Sequence, residues 1–216
     1  MSTDEAHWPE RRFSQAISEG DGISVIPMLR GDLAQLAMAA EQAGAEAIAV
    51  DSITDVHALR EVTDLPLLVR EVVADLDALT ALRSAGADAC VLVYEDFADE
   101  NGVLEDLVLA AGDLGLDCAL DVRDEEQLEE VLERIDPEIL VISERDPDKG
   151  ETELERTLEL LPDVPVGKLV VSESRVTTRE QVLELERAGV DAVLLSEELA
   201  GPLPAGLAEL TGRYPA

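Results

Sequence analysis

Ala43-Gly44-Ala45-Glu46-Ala47 leads directly into Ile48-Ala49-Val50, Ala85-Gly86-Ala87-Asp88-Ala89 into Cys90-Val91-Leu92-Val93, and Ala188-Gly189-Val190-Asp191-Ala192 into Val193-Leu194-Leu195. The same joint recurs between a stretch of helical periodicity and an unbroken apolar run. A glycine at the end of a helix takes the left-handed conformation that stops it. An apolar run without alternation marks a parallel strand covered on both faces. Working outward from these anchors, strands fall near 23–28, 47–51, 66–70, 89–93, 118–122, 139–142, 168–172 and 192–195, with amphipathic stretches such as 102–114 and 125–135 between them. Strand and helix alternating through eight strands predict a closed parallel barrel of the (β/α)8, or TIM, type. One such domain accounts for residues 1–216, with 1–21 as a helical lead-in in which Phe13 and Ile17 stand one turn apart.

Composition agrees with that architecture and narrows the function. Apolar residues make up 46% of the chain but aromatics only 2%, so Val, Leu, Ile and Ala must fill the core. The formal net charge is −33, from 49 acidic and 16 basic residues, and only Lys149 and Lys168 are lysines. Such a surface repels nucleic acid. Molar salt shortens the screening length to about 3 Å and makes the charge tolerable. The expected setting is therefore a salt-filled cytoplasm. The N-terminal residues lack the pattern of a secretory signal, and no stretch is long and apolar enough to span a bilayer. Cys90 and Cys118 lie inside apolar runs, as reduced core thiols do. No cofactor is implied, and no metal site is expected.

Functional groups of this fold sit at the C-terminal ends of the strands. Those positions hold Arg30, Arg70, Arg123, Arg145 and Arg175, one arginine at each of five strand ends in a chain that is otherwise acidic. A guanidinium fork suits phosphate or carboxylate, which points to an anion-binding mouth. Alternatively, each arginine neutralises a neighbouring acid such as Glu71, Asp121, Glu144 or Glu173. Both alternatives stand at this stage. His57 reads as a surface histidine on a helix, and Tyr94-Glu95-Asp96 as a solvated loop entry.

At these same positions the chain resembles indole-3-glycerol phosphate synthase, a carboxy-lyase of tryptophan biosynthesis within the ribulose-phosphate-binding barrels. The resemblance is carried by Phe13-Ser-Gln-Ala-Ile17, the three joints, PLLVREVVAD at 66–75, GLDCALDVRDEEQLEEVL at 115–132, VISERD at 141–146 and LVVSES at 169–174. It implies Asp121, Glu173 and Arg70 as catalytic positions. It implies Arg70, Arg123, Ser143, Arg145, Ser174, Arg175 and Ser196 as a ligand-binding set for a small anionic metabolite. The departures are equally specific. The family's first-strand Glu and Lys fall on Pro27 and Leu29, its third-strand Lys on Arg70, its fifth-strand Glu on Asp121 and its sixth-strand Asn on Ser143. Two phosphate-site glycines become Arg175 and Ser196, which blocks a close backbone approach. The first two loops are shortened, the second to Ser52-Ile53-Thr54-Asp55. Three functions follow as expectations: a diverged binder of a phosphorylated or carboxylated metabolite, a non-catalytic barrel serving a protein partner or its own oligomer, or a working lyase with an altered site.

Overall fold

A computed structural model describes residues 11–20, 22–98, 102–143, 153–195 and 205–212. Eight parallel strands form one sheet: β1 Ser24–Pro27, β2 Ile48–Val50, β3 Leu67–Val69, β4 Ala89–Val93, β5 Asp117–Val122, β6 Ile139–Ile142, β7 Leu169–Glu173 and β8 Ala192–Leu195. Each neighbour in sequence is a neighbour in space, and β1 pairs with β8. Between β1 and β2 the sheet is closed by the Met28–Ala49 bridge, with the Leu29 N–H donating to the Ala49 carbonyl at 2.9 Å. The predicted (β/α)8 barrel is the observed one.

Helices α1 Arg12–Ser18, α2 Leu33–Gln42, α3 Ile53–Arg60, α4 Leu76–Ala85, α5 Val103–Leu114, α6 Glu125–Arg134, α7 Glu153–Leu160, α8 Arg179–Ala188 and α9 Ala205–Thr211 complete the described residues. Their starts are written locally. Asp32, Ser52, Asp75, Asp124 and Thr178 each accept a backbone N–H of the first turn, which satisfies a donor that the helix leaves unpaired. At the joints Gly86 and Gly189 end α4 and α8 at φ of 101° and 106°, where a side chain would be strained. The second shortened loop is tighter than expected, because Ser52 is already the cap of α3 and Ile53–Asp55 its first turn.

The barrel interior is filled by Ile26, Met28, Ala49, Leu68, Val91, Ala119, Val141, Val171 and Leu194, among others. Several of these are alanines, and the space at the N-terminal end is taken by α1, whose Phe13 and Ile17 are 0% and 2% exposed. The lead-in helix is thus a plug. Its first turn is anchored by Asp117, whose Oδ2 accepts the Ser14 N–H at 2.8 Å. The acid of each repeated joint reaches the strand before its own. Asp88 accepts the Leu67 N–H at 2.9 Å, Asp191 accepts the Val170 N–H at 2.7 Å, and Glu46 accepts the Ser24 hydroxyl. The second, larger core lies between the strands' outer faces and the helices, and it includes Val25, Leu29, Leu67, Val69 and Cys90.

That division corrects one placement. Ile26 and Met28 face the axis, whereas Leu29 packs outward and the pleat turns Pro27 the same way. The first-strand positions facing the axis are therefore Ile26 and Met28, not Pro27 and Leu29. Neither is ionisable, so the absence of an acid and a base on this strand holds in the corrected register.

Candidate active site

Arg70 follows Val69 and continues the inward parity of Leu68, so its side chain enters the mouth of the barrel over the axis. There it spans two strands. One guanidinium nitrogen pairs with Glu173 at the end of β7, and the other lies 3.3 Å from Asp121 Oδ2 on β5. Asp121 Oδ1 accepts the Ser143 hydroxyl at 2.6 Å. Four side chains from the third, fifth, sixth and seventh strands thus form one connected group, and all four belong to the set read from the sequence.

The Asp121 side chain has no exposed surface. Burial pushes its carboxyl above the ordinary carboxylate value, against the opposing pull of the Ser143 hydroxyl and the Arg70 charge. A shielded acid held by a charged partner is a feature that acid–base sites use. Arg70 remains a cation, so it can hold a negative charge in place but is a poor proton donor. Arg70 also lines a cavity of about 30 Å³. That cavity lies among Val73, Val91, Leu92 and Phe97, and none of Asp121, Ser143 and Glu173 lines it.

The other described arginines of the set, Arg30, Arg123 and Arg175, follow β1, β5 and β7. Arg123 pairs with Glu95, and Arg30 pairs with Asp51. Arg175 is exposed. Arg145 and Ser196 lie outside the described residues. Ser174 is 3% exposed, and its hydroxyl is bonded to Ser172, whose own hydroxyl lies 2.7 Å from Thr157 on α7. This buried hydroxyl chain escaped the sequence reading. The serines two apart at 172, on β7, and 174, just past its end, were its visible sign in the sequence.

Tyr94-Glu95-Asp96 is solvated at Glu95 and Asp96, as read, but it is ordered rather than a plain loop. It is a single 3₁₀ turn, Tyr94–Phe97, with Tyr94 and Phe97 buried and the Tyr94 hydroxyl bonded to Glu130. Glu71 turns to the neighbouring helix and accepts the Ile53 N–H at 2.7 Å, which fixes the start of α3. His57 is exposed on α3, as read. No helix among the described residues is long and apolar enough to cross a membrane.

Comparison with known proteins bears on the family and the fold. The family model for indole-3-glycerol phosphate synthase matches residues 28–202. The indole-3-glycerol phosphate synthase of Geobacillus sp. (strain WCH70) is 34% identical over 174 residues, 76% of this chain and 66% of the relative. The enzyme of that name from Acidithiobacillus ferrooxidans is 32% identical over 180 residues, 79% and 67% of the two chains. This chain spans about two thirds of the length of the curated relatives it matches. Among solved structures, N-acetylmannosamine-6-phosphate 2-epimerase from Clostridium perfringens superposes with a TM-score of 0.67 at 19% identity, over 82% of this chain and 87% of that one. At that identity the likeness is one of fold.

Proposed function

Since the chain belongs to the indole-3-glycerol phosphate synthase family, we propose that it is a member which no longer closes the indole ring and serves as a non-catalytic barrel with an ion-paired mouth. The observation that carries this reading is Arg70, fastened to Asp121 and Glu173 where a substrate would sit. A phosphorylated substrate reaching Asp121 would have to displace Arg70 from its two carboxylates. The axis-facing residues of β1 offer neither acid nor base. Losing a positioned acid or base lowers the rate by about 10²–10⁴.

A second reading rests on Asp121. A buried carboxyl with a raised pKa, hydrogen-bonded to Ser143 and beside a fixed cation, suits a site that binds and processes a phosphorylated or carboxylated metabolite. The two are separated by one pair of measurements in molar potassium chloride. Formation of indoleglycerol phosphate should be at least a hundredfold slower than that of an intact family member, and phosphorylated and carboxylated metabolites should leave the melting temperature unchanged. Turnover within tenfold of such an enzyme sinks the non-catalytic reading. A metabolite-induced shift that Arg70→Ala removes and Arg187→Ala leaves in place establishes the binder instead.

A further inference from the structure

Cys90 and Cys118 stand directly opposite one another in the register of β4 and β5. Both are free, and both belong to the layer between the barrel and its helices. Cys90 is fully buried, while Cys118 is partly exposed and forms part of a groove of about 640 Å³. Val108, Leu109 and Gly112 of α5 form one side of that groove, and Pro137 and Ile139 the other. A glycine inside a helix costs about 1 kcal/mol relative to alanine. A Cβ at Gly112 would meet only Arg11 Nη2, at 3.8 Å, so packing does not demand the glycine. Its missing side chain widens the approach to Cys118.

We propose that Cys90 and Cys118 form a two-thiolate site for a soft monovalent cation of the Cu(I) class, reached through the groove beside α5. Spacing favours this over a direct disulfide. Adjacent strands lie about 4.8 Å apart, and side chains on the convex outer face of a barrel diverge. A disulfide needs its Cβ atoms within about 3.5–4.5 Å, so closing one here would draw the two strands together. A thiolate–metal bond of about 2.3 Å, taken from zinc, gives a linear sulfur–metal–sulfur unit about 4.6 Å long, which matches the strand spacing. Thiolates select soft ions, and zinc takes four ligands in structural sites. Among the described residues no group of three or more His, Cys, Asp or Glu side chains is placed to hold a metal, which leaves an ion satisfied by two sulfurs.

Binding requires no change of oxidation state. Two S–H bonds break, two sulfur–metal bonds form, and both protons pass to water. Because both thiols must lose a proton, metal uptake strengthens as pH rises.

The test is an anaerobic titration of the reduced full chain with Cu(I) against a chromophoric chelator, in molar potassium acetate because chloride itself complexes Cu(I). The wild type should take up one equivalent, at least 100-fold more tightly than Cys90→Ser or Cys118→Ser, with circular dichroism confirming that each variant folds. X-ray absorption of the loaded protein should show two sulfur neighbours. Uptake that is absent, or equal in wild type and variants, overturns the proposal. So does an intact mass two units lower after treatment with hydrogen peroxide in a protein that binds no Cu(I), which assigns the pair to a disulfide.

Discussion

Arg70→Ala tests whether the mouth is a stabilising lock. The substitution removes the cation from between Asp121, whose side chain is wholly buried, and Glu173, whose side chain is 26% exposed. Breaking a buried ion pair by deleting one partner costs about 3–5 kcal/mol, because the remaining charge is left without compensation. Arg70 is itself 21% exposed and water can reach Glu173, so the expected loss lies at the low end, about 3 kcal/mol. It should also depend on pH. Burial already raises the pKa of Asp121, and Arg70 opposes that rise. Removing Arg70 raises the pKa further. A group whose folded pKa exceeds its unfolded value contributes stability that is full below the unfolded pKa and is lost as pH rises through the folded one. The variant's deficit should therefore be largest near pH 8 and shrink toward pH 5. Urea unfolding at several pH values in molar potassium chloride measures it, with Arg70→Lys expected between wild type and Ala, and Arg187→Ala as the surface control. A loss below about 1 kcal/mol, the size of an exposed pair, or a deficit that grows on acidification, refutes the reasoning.

Three further outcomes are expected. The melting temperature should rise steeply with potassium chloride from millimolar to molar, because the formal charge is −33; a curve flat with salt removes the high-salt setting. In molar salt, where that repulsion is screened, the wild type should gain stability as pH falls from 7 toward 5. Burial raises the pKa values of Asp117, Asp121 and Asp191 together, so a urea midpoint that drops over this range contradicts the assignment. Phe13→Ala should cost about 3–5 kcal/mol, as fully buried aromatics do, and should raise hydrogen exchange along α1 first; a cost below about 1 kcal/mol would show that the barrel does not need its plug.

Most of the fold was legible because strands buried on both faces are written as apolar runs and the joints mark their starts. The expected strand bounds differ from the observed ones by at most one residue. The same property hid the facing of the first strand. Val25-Ile26-Pro27-Met28-Leu29 contains no polar residue, so nothing in it shows which positions point to the axis. The inward group of Arg70, Asp121, Ser143 and Glu173 was found by position at strand ends. Its pairing was not, since Arg70 is 51 residues from Asp121 and 103 from Glu173. Only the sheet register decides that these partners meet. Phe13 and Ile17 announced a helix, but their place beneath the barrel depends on the small interior residues at Ala47, Ala89, Ala119 and Ala192.

The acids of the repeated joints tie strands in pairs, β1 with β2, β3 with β4 and β7 with β8. Each clamp is contained within one odd–even pair and none reaches into the next. For the remaining pair the corresponding residue, Glu138, is turned to Arg11 beside the plug helix instead. The barrel is thus assembled from doublets, and the tolerance of the chain to being re-threaded should follow that grain. New termini opened between β2 and β3 would leave every clamp within an unbroken stretch of chain. Termini opened between β3 and β4 would separate Asp88 from Leu67 and turn a local closure into one made across the whole length of the polypeptide. Refolding the two circular permutants side by side would show the first recovering faster, as expected if the doublet is the unit in which this barrel sets its register.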